Sequence, residues 1–138
     1  MKVFEHPYGT IACLKRLIQE YEKYKNLYVA FDFDNTIFDY HNTGGNFSQV
    51  INLLKDCSEL GFKLILFTSN EGDRLTWIIE YCKHFGIKVD YVNENPEIMS
   101  TRKPYYNVLL DDRAGLASSF IYLSDTIEYI KNKQNGNR

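Results

Sequence analysis

Four aspartates stand in two short groups, at a spacing that suits metal binding and phosphate chemistry. The groups are Asp32 with Asp34 and Asp111 with Asp112, and each follows a short run of apolar residues. Carboxylates that share one site repel each other and raise each other's pKa unless a cation lies among them. Mg²⁺ relieves that repulsion, because it binds carboxylate oxygens and commonly shares them with a phosphate. The aspartates therefore predict a magnesium-dependent phosphate chemistry, provided that the fold brings them together.

A second set of residues supplies hydrogen-bond donors and positive charge. Thr68, Ser69 and Asn70 follow another apolar run, and Lys103 lies shortly before the second aspartate group. A phosphoryl group needs donors and a cation on the oxygens that do not react. Thr68 and Lys103 meet those needs, with the neighbouring Arg102 as an alternative to Lys103.

These residues require a scaffold of alternating strands and helices, which the hydrophobic pattern predicts. Helical spacing covers residues 10–25, 47–60, 73–85 and 124–131, and strand-like apolar runs cover 27–31, 62–67, 87–92, 106–110 and 120–123. Gly61 and Gly86 are expected to end the second and third helices. The alternation predicts an α/β fold, a three-layer Rossmann-like sandwich with a mainly parallel sheet. Such sheets bind ligands beyond the carboxyl ends of their strands, where all the residues above fall.

Length and composition indicate one domain without a strongly charged surface. The 138 residues, 44% of them hydrophobic, suffice for one core. Residues 1–131 are predicted to form a single domain, and residues 132–138 a disordered polar tail. The formal net charge of -2, without blocks of like charge, gives no basic footprint for nucleic acid or a membrane. Three widely spaced cysteines and the lack of an apolar leader favour a soluble, cytoplasmic protein with reduced thiols.

Together these residues resemble the four motifs of the haloacid dehalogenase superfamily. The apolar strand followed by Asp32-Phe33-Asp34-Asn35-Thr36 is similar to the first motif, Asp-x-Asp-x-Thr, and the strand ending in Thr68-Ser69-Asn70 is similar to the second. Lys103-Pro104 resembles the third motif, a lone basic residue, and Val108-Leu109-Leu110-Asp111-Asp112 the fourth, a strand that ends in paired acids. The motifs occur in the family's order and span about two thirds of the chain, which makes the signal specific. Lys103 lies closer to the fourth motif than in many members of the family.

The resemblance implies a magnesium-dependent phosphatase with the fold of that superfamily. Asp32 would be the nucleophile that forms an aspartyl-phosphate, and Asp34 the general acid and base. Mg²⁺ would be held by Asp32, the backbone carbonyl of Asp34 and Asp111, with Asp112 bound directly or through water. Phosphate would be bound by Thr68, Ser69, Asn70 and Lys103. An aspartate at position 34 favours phosphoester hydrolysis over dehalogenation, since a halide leaves without a proton.

The spacing between the motifs leaves no room for a cap domain, because one helix and one strand or loop already fill each interval. An open site of this kind fits a phosphomonoesterase whose phosphorylated substrate the sequence does not name; no membrane partner is expected. The alternative within the same class is a phosphatase of nucleotide or polynucleotide ends, although the chain lacks a basic stripe. From a different class, the competing hypothesis is a non-catalytic phosphoryl-binding protein on the same fold.

Several residues near the expected site have simpler interpretations. Tyr40 and His41 could stack on a base or a sugar, but packing is the commoner fate of tyrosines in a chain that contains eleven of them. The second aspartate group could form structural ion pairs with Arg113 or Arg102. Asp39 is expected to order the turn after the first motif.

Overall fold

A parallel sheet lies at the centre of the structure, a computed structural model that describes residues 6–136. Its strands are β1 (Tyr28–Asp32), β2 (Lys63–Phe67), β3 (Tyr91–Val92) and β4 (Val108–Leu110). The strand order is β3-β2-β1-β4, and all three pairings are parallel. The sheet is therefore the parallel one that the sequence predicts, although β3 and β4 are shorter than their apolar runs.

Helices flank the sheet. They are α1 (Thr10–Tyr24), α2 (Ser48–Glu59), α3 (Gly72–His84) and α4 (Leu116–Gly136). α1 and α4 are joined through Glu22, which accepts hydrogen bonds from the Tyr129 hydroxyl at 3.1 Å and from Lys133 Nζ at 3.0 Å. The arrangement is consistent with a Rossmann-like three-layer fold, which confirms the predicted fold class.

The core explains why the strands were readable in the sequence. Residues 29–31 of β1 are completely buried, as are Leu64, Leu66 and Leu110 of the neighbouring strands. A strand covered on both faces shows no alternation of polar and apolar residues, and therefore appears as a continuous apolar run. Each fully buried valine, leucine or phenylalanine side chain among them contributes about 1.5–3 kcal/mol. The buried strands therefore fix the positions of the polar residues that follow their carboxyl ends.

Two glycines end the helices that lead into β2 and β3. Gly61 (φ 81°) follows α2 and Gly86 (φ 77°) follows α3. At each end the residue after the glycine donates its backbone N–H to a carbonyl five positions back: Phe62 to Cys57 at 3.0 Å, and Ile87 to Cys82 at 2.9 Å. This bond pattern is a Schellman motif, in which glycine adopts positive φ without the clash of a Cβ. The predicted helix ends are confirmed.

The C-terminal part of the chain differs from the prediction. Residues 120–123 are not a fifth strand, and the last helix does not begin at residue 124, because α4 starts at Leu116 and continues to Gly136. Its buried residues Leu123, Ile127 and Ile130 are spaced as on one face of a helix. The four-residue apolar run was too short to distinguish a strand from part of this face.

The predicted tail is partly helical as well. Residues 132–136 belong to α4, where the bond from Lys133 to Glu22 ties the last turn to α1. Residues 137–138 of the predicted tail and residues 1–5 of the predicted domain lie outside the described part of the chain.

The long connection from β3 to β4 contains no helix, and its shape depends on one side chain. Asn95 Nδ2 donates to the carbonyls of Thr101 at 3.1 Å and Lys103 at 2.8 Å, and Asn95 Oδ1 accepts the backbone N–H of Tyr105 at 2.9 Å. The connection from β1 to α2 is also without a helix. Over residues 6–136 neither connection carries a cap domain, as the sequence predicts.

Candidate active site

The strand order places the two aspartate groups beside each other. From β1 the chain moves outward to β2 and β3, and then returns to the other side of β1 for β4. The gap between the carboxyl ends of β1 and β4 is thus a topological switch point, where open α/β sheets bind their ligands. Asp32 is the last residue of β1, and Asp111 directly follows β4. The fold therefore brings together the residues that the sequence predicts to meet.

A cavity of about 330 Å³ opens at this position. Its walls are formed by Asp32, Asp34, Asn35, Tyr40, His41, Ser69, Asp111, Asp112 and Arg113. All four predicted carboxylates are among them. One oxygen from each of Asp32, Asp111 and Asp112 lies within 4.8 Å of the others. This spacing allows one ion to contact three carboxylates.

Asp32 is the aspartate whose charge the fold disfavours most clearly. Partial burial, and next the nearby charge of Asp111, raise its pKa from 3.8 to about 6. A hydrogen bond from the Thr36 hydroxyl, which donates to Asp32 Oδ2 at 3.2 Å, acts in the opposite direction. At neutral pH the Asp32 carboxylate is therefore mostly ionised. A nearby cation would stabilise its negative charge.

Thr36 connects the two aspartate groups. It is completely buried. Its hydroxyl oxygen accepts a hydrogen bond from the backbone N–H of Asp112 at 3.2 Å, and its hydroxyl group donates one to Asp32 Oδ2. A hydroxyl can do both, because it has one proton and two lone pairs. The threonine of the Asp-x-Asp-x-Thr pattern thus fixes the second aspartate group relative to the end of β1.

Asp34 lies in the same wall with a different set of contacts. Its Oδ2 accepts a hydrogen bond from Asn70 Nδ2 at 3.4 Å, and Asn70 is itself held by the hydroxyl oxygen of Thr68, which accepts from Asn70 Nδ2 at 2.8 Å. Its Oδ1 is buried and has no hydrogen-bond partner in the described part of the chain. A buried polar atom without a partner is unfavourable, and within residues 6–136 no group donates a hydrogen bond to this oxygen.

The predicted phosphate-binding residues are not all at the cavity. Ser69 lines it, whereas Thr68, Asn70 and Lys103 do not. Thr68 and Asn70 instead support Asp34. Lys103 is exposed, and the hydrogen bond from Asn95 to its carbonyl holds its backbone in the β3–β4 connection. Of the four residues predicted to bind phosphate, Ser69 is thus the one that lines the cavity wall, and the phosphate-binding role of all four stays a prediction.

The structure adds cavity residues whose role the sequence left open. Tyr40 and His41 form one wall, with ring centroids 5.1 Å apart, and the Tyr40 side chain is 57% exposed. Their loop is ordered by Asp39, whose carboxylate accepts the backbone N–H groups of Gly44 at 2.8 Å and Gly45 at 3.1 Å. Hydrogen bonds from this loop lower the pKa of Asp39. The prediction that Asp39 orders the turn after the first motif is confirmed. In the sequence, the position of Asp39 shortly after that motif was the signal for this role.

Asn35 and Arg113 also line the cavity. Asn35 adopts a φ of 59°, a conformation that asparagine tolerates better than most residues. It lies in a tight turn in which its backbone N–H donates to the carbonyl of Phe38 at 2.8 Å. Asn35 directly follows Asp34, and Arg113 directly follows Asp112. Their adjacency to the two aspartate groups could therefore have predicted that they line the cavity.

The donor set fits a magnesium ion. It consists of carboxylate oxygens, without histidine or cysteine in the three-residue cluster, which is the chemistry that hard divalent ions prefer. The raised pKa of Asp32 is a feature that a cation among these carboxylates would offset.

Replacing Asp32 with asparagine is expected to stabilise the metal-free protein at neutral pH. The pKa of Asp32 is higher in the folded protein than in the unfolded chain. Its contribution to the free energy of unfolding is therefore most favourable below pH 3.8 and is lost as the pH rises through about 6. After allowance for the partial exposure of the carboxylate, we expect a gain of about 1–2 kcal/mol at pH 7.

Thermal unfolding in EDTA at about pH 5 and about pH 8 checks this expectation. The advantage of Asp32→Asn should be larger at the higher pH, where the unmodified carboxylate is charged. Added Mg²⁺ should then stabilise the unmodified protein more than the variant. A variant that is less stable than the unmodified protein in EDTA at the higher pH would contradict the assigned electrostatics.

Among residues 6–136, none of the helices combines the length and the apolar character needed to cross a membrane. No protein-family model matches the sequence, and no curated protein is significantly similar to it. A solved structure, that of a conserved protein from Bacteroides thetaiotaomicron, is similar to this chain with a TM-score of 0.56 and 28% sequence identity. The similarity covers 78% of this chain and 92% of the other. It supports the fold and brings no activity with it.

Proposed function

We propose that this protein is a magnesium-dependent phosphomonoester hydrolase of the haloacid dehalogenase type, acting through an aspartyl-phosphate on Asp32. The observation that carries the proposal is the meeting of four aspartates in one cavity at the switch point of the sheet. Two of them, Asp32 and Asp34, come from the same strand end and differ in their surroundings. Both carboxylates line the same cavity, so both can reach one phosphoester, as a nucleophile and a proton donor must.

In the first step, an Asp32 carboxylate oxygen attacks the phosphorus atom. A bond forms between that oxygen and phosphorus, and the bond from phosphorus to the ester oxygen breaks. Asp34 donates a proton to the leaving oxygen, so that an alcohol rather than an alkoxide departs. Thr36 holds Asp32 Oδ2, which leaves the other carboxylate oxygen to act as the nucleophile.

In the second step, water attacks the phosphorus atom of the aspartyl-phosphate. Asp34, now ionised, accepts a proton from that water as the new bond to phosphorus forms. The bond between Asp32 and phosphorus breaks, and inorganic phosphate is released. Asn70, which donates to Asp34 Oδ2, keeps the carboxylate oriented through both proton transfers.

The metal would be held by Asp32 and Asp111, by the backbone carbonyl of Asp34, and by Asp112 directly or through water. When bound, Mg²⁺ supplies positive charge that offsets the repulsion between a phosphate and the surrounding carboxylates. The three carboxylates of the cluster lie at the carboxyl ends of β1 and β4, which are neighbouring, paired strands. The sheet therefore positions the residues that would bind the ion.

Phosphate release from a panel of phosphomonoesters tests the proposal. The panel contains alkyl, aryl and sugar phosphates, nucleoside monophosphates and an oligonucleotide with a terminal phosphate. We expect release that requires Mg²⁺, stops in EDTA and returns when Mg²⁺ is added back, because only the loaded site offsets the charge of the carboxylates. If the protein binds Mg²⁺ and phosphate but releases no phosphate from any ester of the panel, the enzyme hypothesis is contradicted. The protein would then be a non-catalytic phosphoryl-binding protein.

One observation favours a nucleotide or polynucleotide end as the substrate class. The exposed Tyr40 ring and His41 stand in the wall of the cavity that holds the nucleophile. An aromatic ring in that position can stack on a base, which contributes about 1–3 kcal/mol per base in single-stranded nucleic acid. The oligonucleotide should then be hydrolysed with a higher kcat/KM than the alkyl phosphates. Equal values for both would remove this candidate and leave the general phosphatase.

A further inference from the structure

The turn that carries Asp34 is closed by backbone hydrogen bonds between its two ends. The carbonyl of Phe33 accepts the N–H groups of Ile37 at 3.0 Å and of Phe38 at 3.2 Å. The carbonyl of Phe38 accepts the N–H of Asn35 at 2.8 Å. The turn therefore begins and ends at a phenylalanine, and its backbone determines where the side chain of Asp34 starts.

The carboxylate of Asp34 is itself held by few contacts. Within residues 6–136 it accepts one hydrogen bond, from Asn70 Nδ2, and the distance of 3.4 Å is long for such a bond. Its other oxygen, Oδ1, has no hydrogen-bond partner in the same range. The position of this carboxylate therefore depends on the backbone of the turn more than on its own hydrogen bonds.

Four aromatic rings join the turn to α3. The rings of Phe33 and Phe38 stack on each other, with centroids 5.3 Å apart. Trp77 meets both of them edge-on, at 5.9 Å from Phe33 and 5.4 Å from Phe38. Tyr81, one helical turn further along α3, meets the same two rings edge-on at 5.3 Å and 5.7 Å. Edge-to-face contact is a favourable geometry for aromatic rings, so both ends of the turn are packed against one side of α3.

Trp77 makes these contacts from the surface of the protein. Its side chain is 41% exposed, and the guanidinium carbon of Arg74 lies 4.3 Å from the centroid of its ring. The same guanidinium lies 5.4 Å from the ring of Phe38, so Arg74 packs on both. A substitution at Trp77 removes contacts with the turn without opening a cavity in the buried core, which the exposed ring does not belong to.

We infer that Trp77 is a positioning residue for Asp34, because its ring holds both ends of the turn and the turn places the carboxyl group of Asp34 at the leaving oxygen. The inference rests on the proposed function, which gives Asp34 the task of protonating that oxygen. A proton donor must lie within hydrogen-bonding distance of the atom that it protonates. A displacement of about 1 Å can lower the rate by about 100-fold.

The dependence of catalysis on the leaving group tests the inference. Trp77→Leu removes the ring, and Trp77→Phe keeps an aromatic ring at the same position. We expect Trp77→Leu to lower kcat/KM in Mg²⁺ by about 10- to 100-fold for alkyl phosphates. For nitrophenyl phosphate the loss should be less than about threefold, since its leaving group departs without a proton. Trp77→Phe should recover most of the loss, because it restores ring contacts with the turn.

The matched control is Phe85→Leu, at another partly exposed aromatic residue, directly after α3. Its ring pairs with those of Tyr81 at 4.8 Å and His84 at 5.0 Å and, within residues 6–136, with neither phenylalanine of the turn. Phe85→Leu should keep the kcat/KM of the unmodified protein for both kinds of ester. Unchanged values for Trp77→Leu, or equal losses for alkyl and nitrophenyl phosphates, would overturn the inference.

Hydrogen exchange of the turn amides, measured by NMR, separates this inference from the proposed function. The N–H groups of Ile37 and Phe38 should exchange about 5- to 100-fold faster in Trp77→Leu, as for the loss of two edge-to-face ring contacts. In Phe85→Leu they should exchange at the unmodified rate. Unchanged exchange in Trp77→Leu would overturn the inference whether or not the protein is active. If the unmodified protein releases no phosphate from any ester, the proposed function fails, and faster exchange in Trp77→Leu still supports the hold of Trp77 on the turn.

Discussion

Asp32→Asn is expected to lower kcat for every accepted phosphomonoester by about 10³-fold or more. The amide oxygen of asparagine carries no charge and is a poor nucleophile, so no covalent intermediate forms. The size of the effect follows from removing the reacting atom itself, which other groups of the site cannot replace.

The control for this variant is Asp125→Asn, which makes the same chemical change at an exposed aspartate of α4 outside the cavity wall. Asp125→Asn should keep the activity of the unmodified protein. Thermal unfolding of Asp32→Asn in the Mg²⁺ buffer of the assay checks that its loss of activity does not come from unfolding. An Asp32→Asn protein with more than a tenth of the unmodified kcat would show that another group is the nucleophile.

Asp34→Asn should lower kcat/KM by about 10²- to 10⁴-fold for phosphates of alcohols, the range expected for loss of a general acid. The loss should be much smaller for nitrophenyl phosphate, whose leaving group departs as a stable anion without a proton. This dependence on the leaving group distinguishes a proton donor from a residue that only shapes the cavity.

A series of phosphate monoesters with leaving groups of increasing basicity measures this effect, because kcat/KM reports the step that forms the phosphoenzyme. The Asp34→Asn series should depend more steeply on leaving-group basicity than the unmodified series. Asn70→Ala is a useful companion, since it removes the hydrogen bond to Asp34 Oδ2 but keeps the carboxyl group. Parallel series for the unmodified and Asp34→Asn proteins would contradict the assignment of Asp34 as the acid.

The parts of the structure that could be predicted from the sequence depend on local signals. The apolar runs of β1 and β2 are complete enough to identify buried parallel strands, and Gly61 and Gly86 mark the ends of α2 and α3 through their positive φ. The aspartates directly follow strands, so the rule for ligand sites in parallel sheets places them at one edge. For the same reason the four carboxylates were expected at one edge of the sheet, where all four line the cavity.

The parts that could not be predicted depend on contacts between distant residues or on loop conformation. α4 was divided because a four-residue apolar run does not reveal whether it packs as a strand or as one face of a helix; the contacts with α1 decide that. The backbone of the β3–β4 connection at Lys103 depends on a hydrogen bond from Asn95, and the position of Tyr40 depends on the loop ordered by Asp39. Neither loop has a periodic pattern from which its shape follows.

The central claim is that hydrolysis proceeds through a phosphoryl group on Asp32, and mass spectrometry of acid-quenched protein tests it most directly. Protein mixed with Mg²⁺ and a good substrate, quenched during turnover and digested, should carry one phosphoryl group on the peptide that contains Asp32. Asp32→Asn treated in the same way should carry none. Phosphate release at the normal rate by Asp32→Asn, or a phosphoryl group on a different residue, would contradict the account.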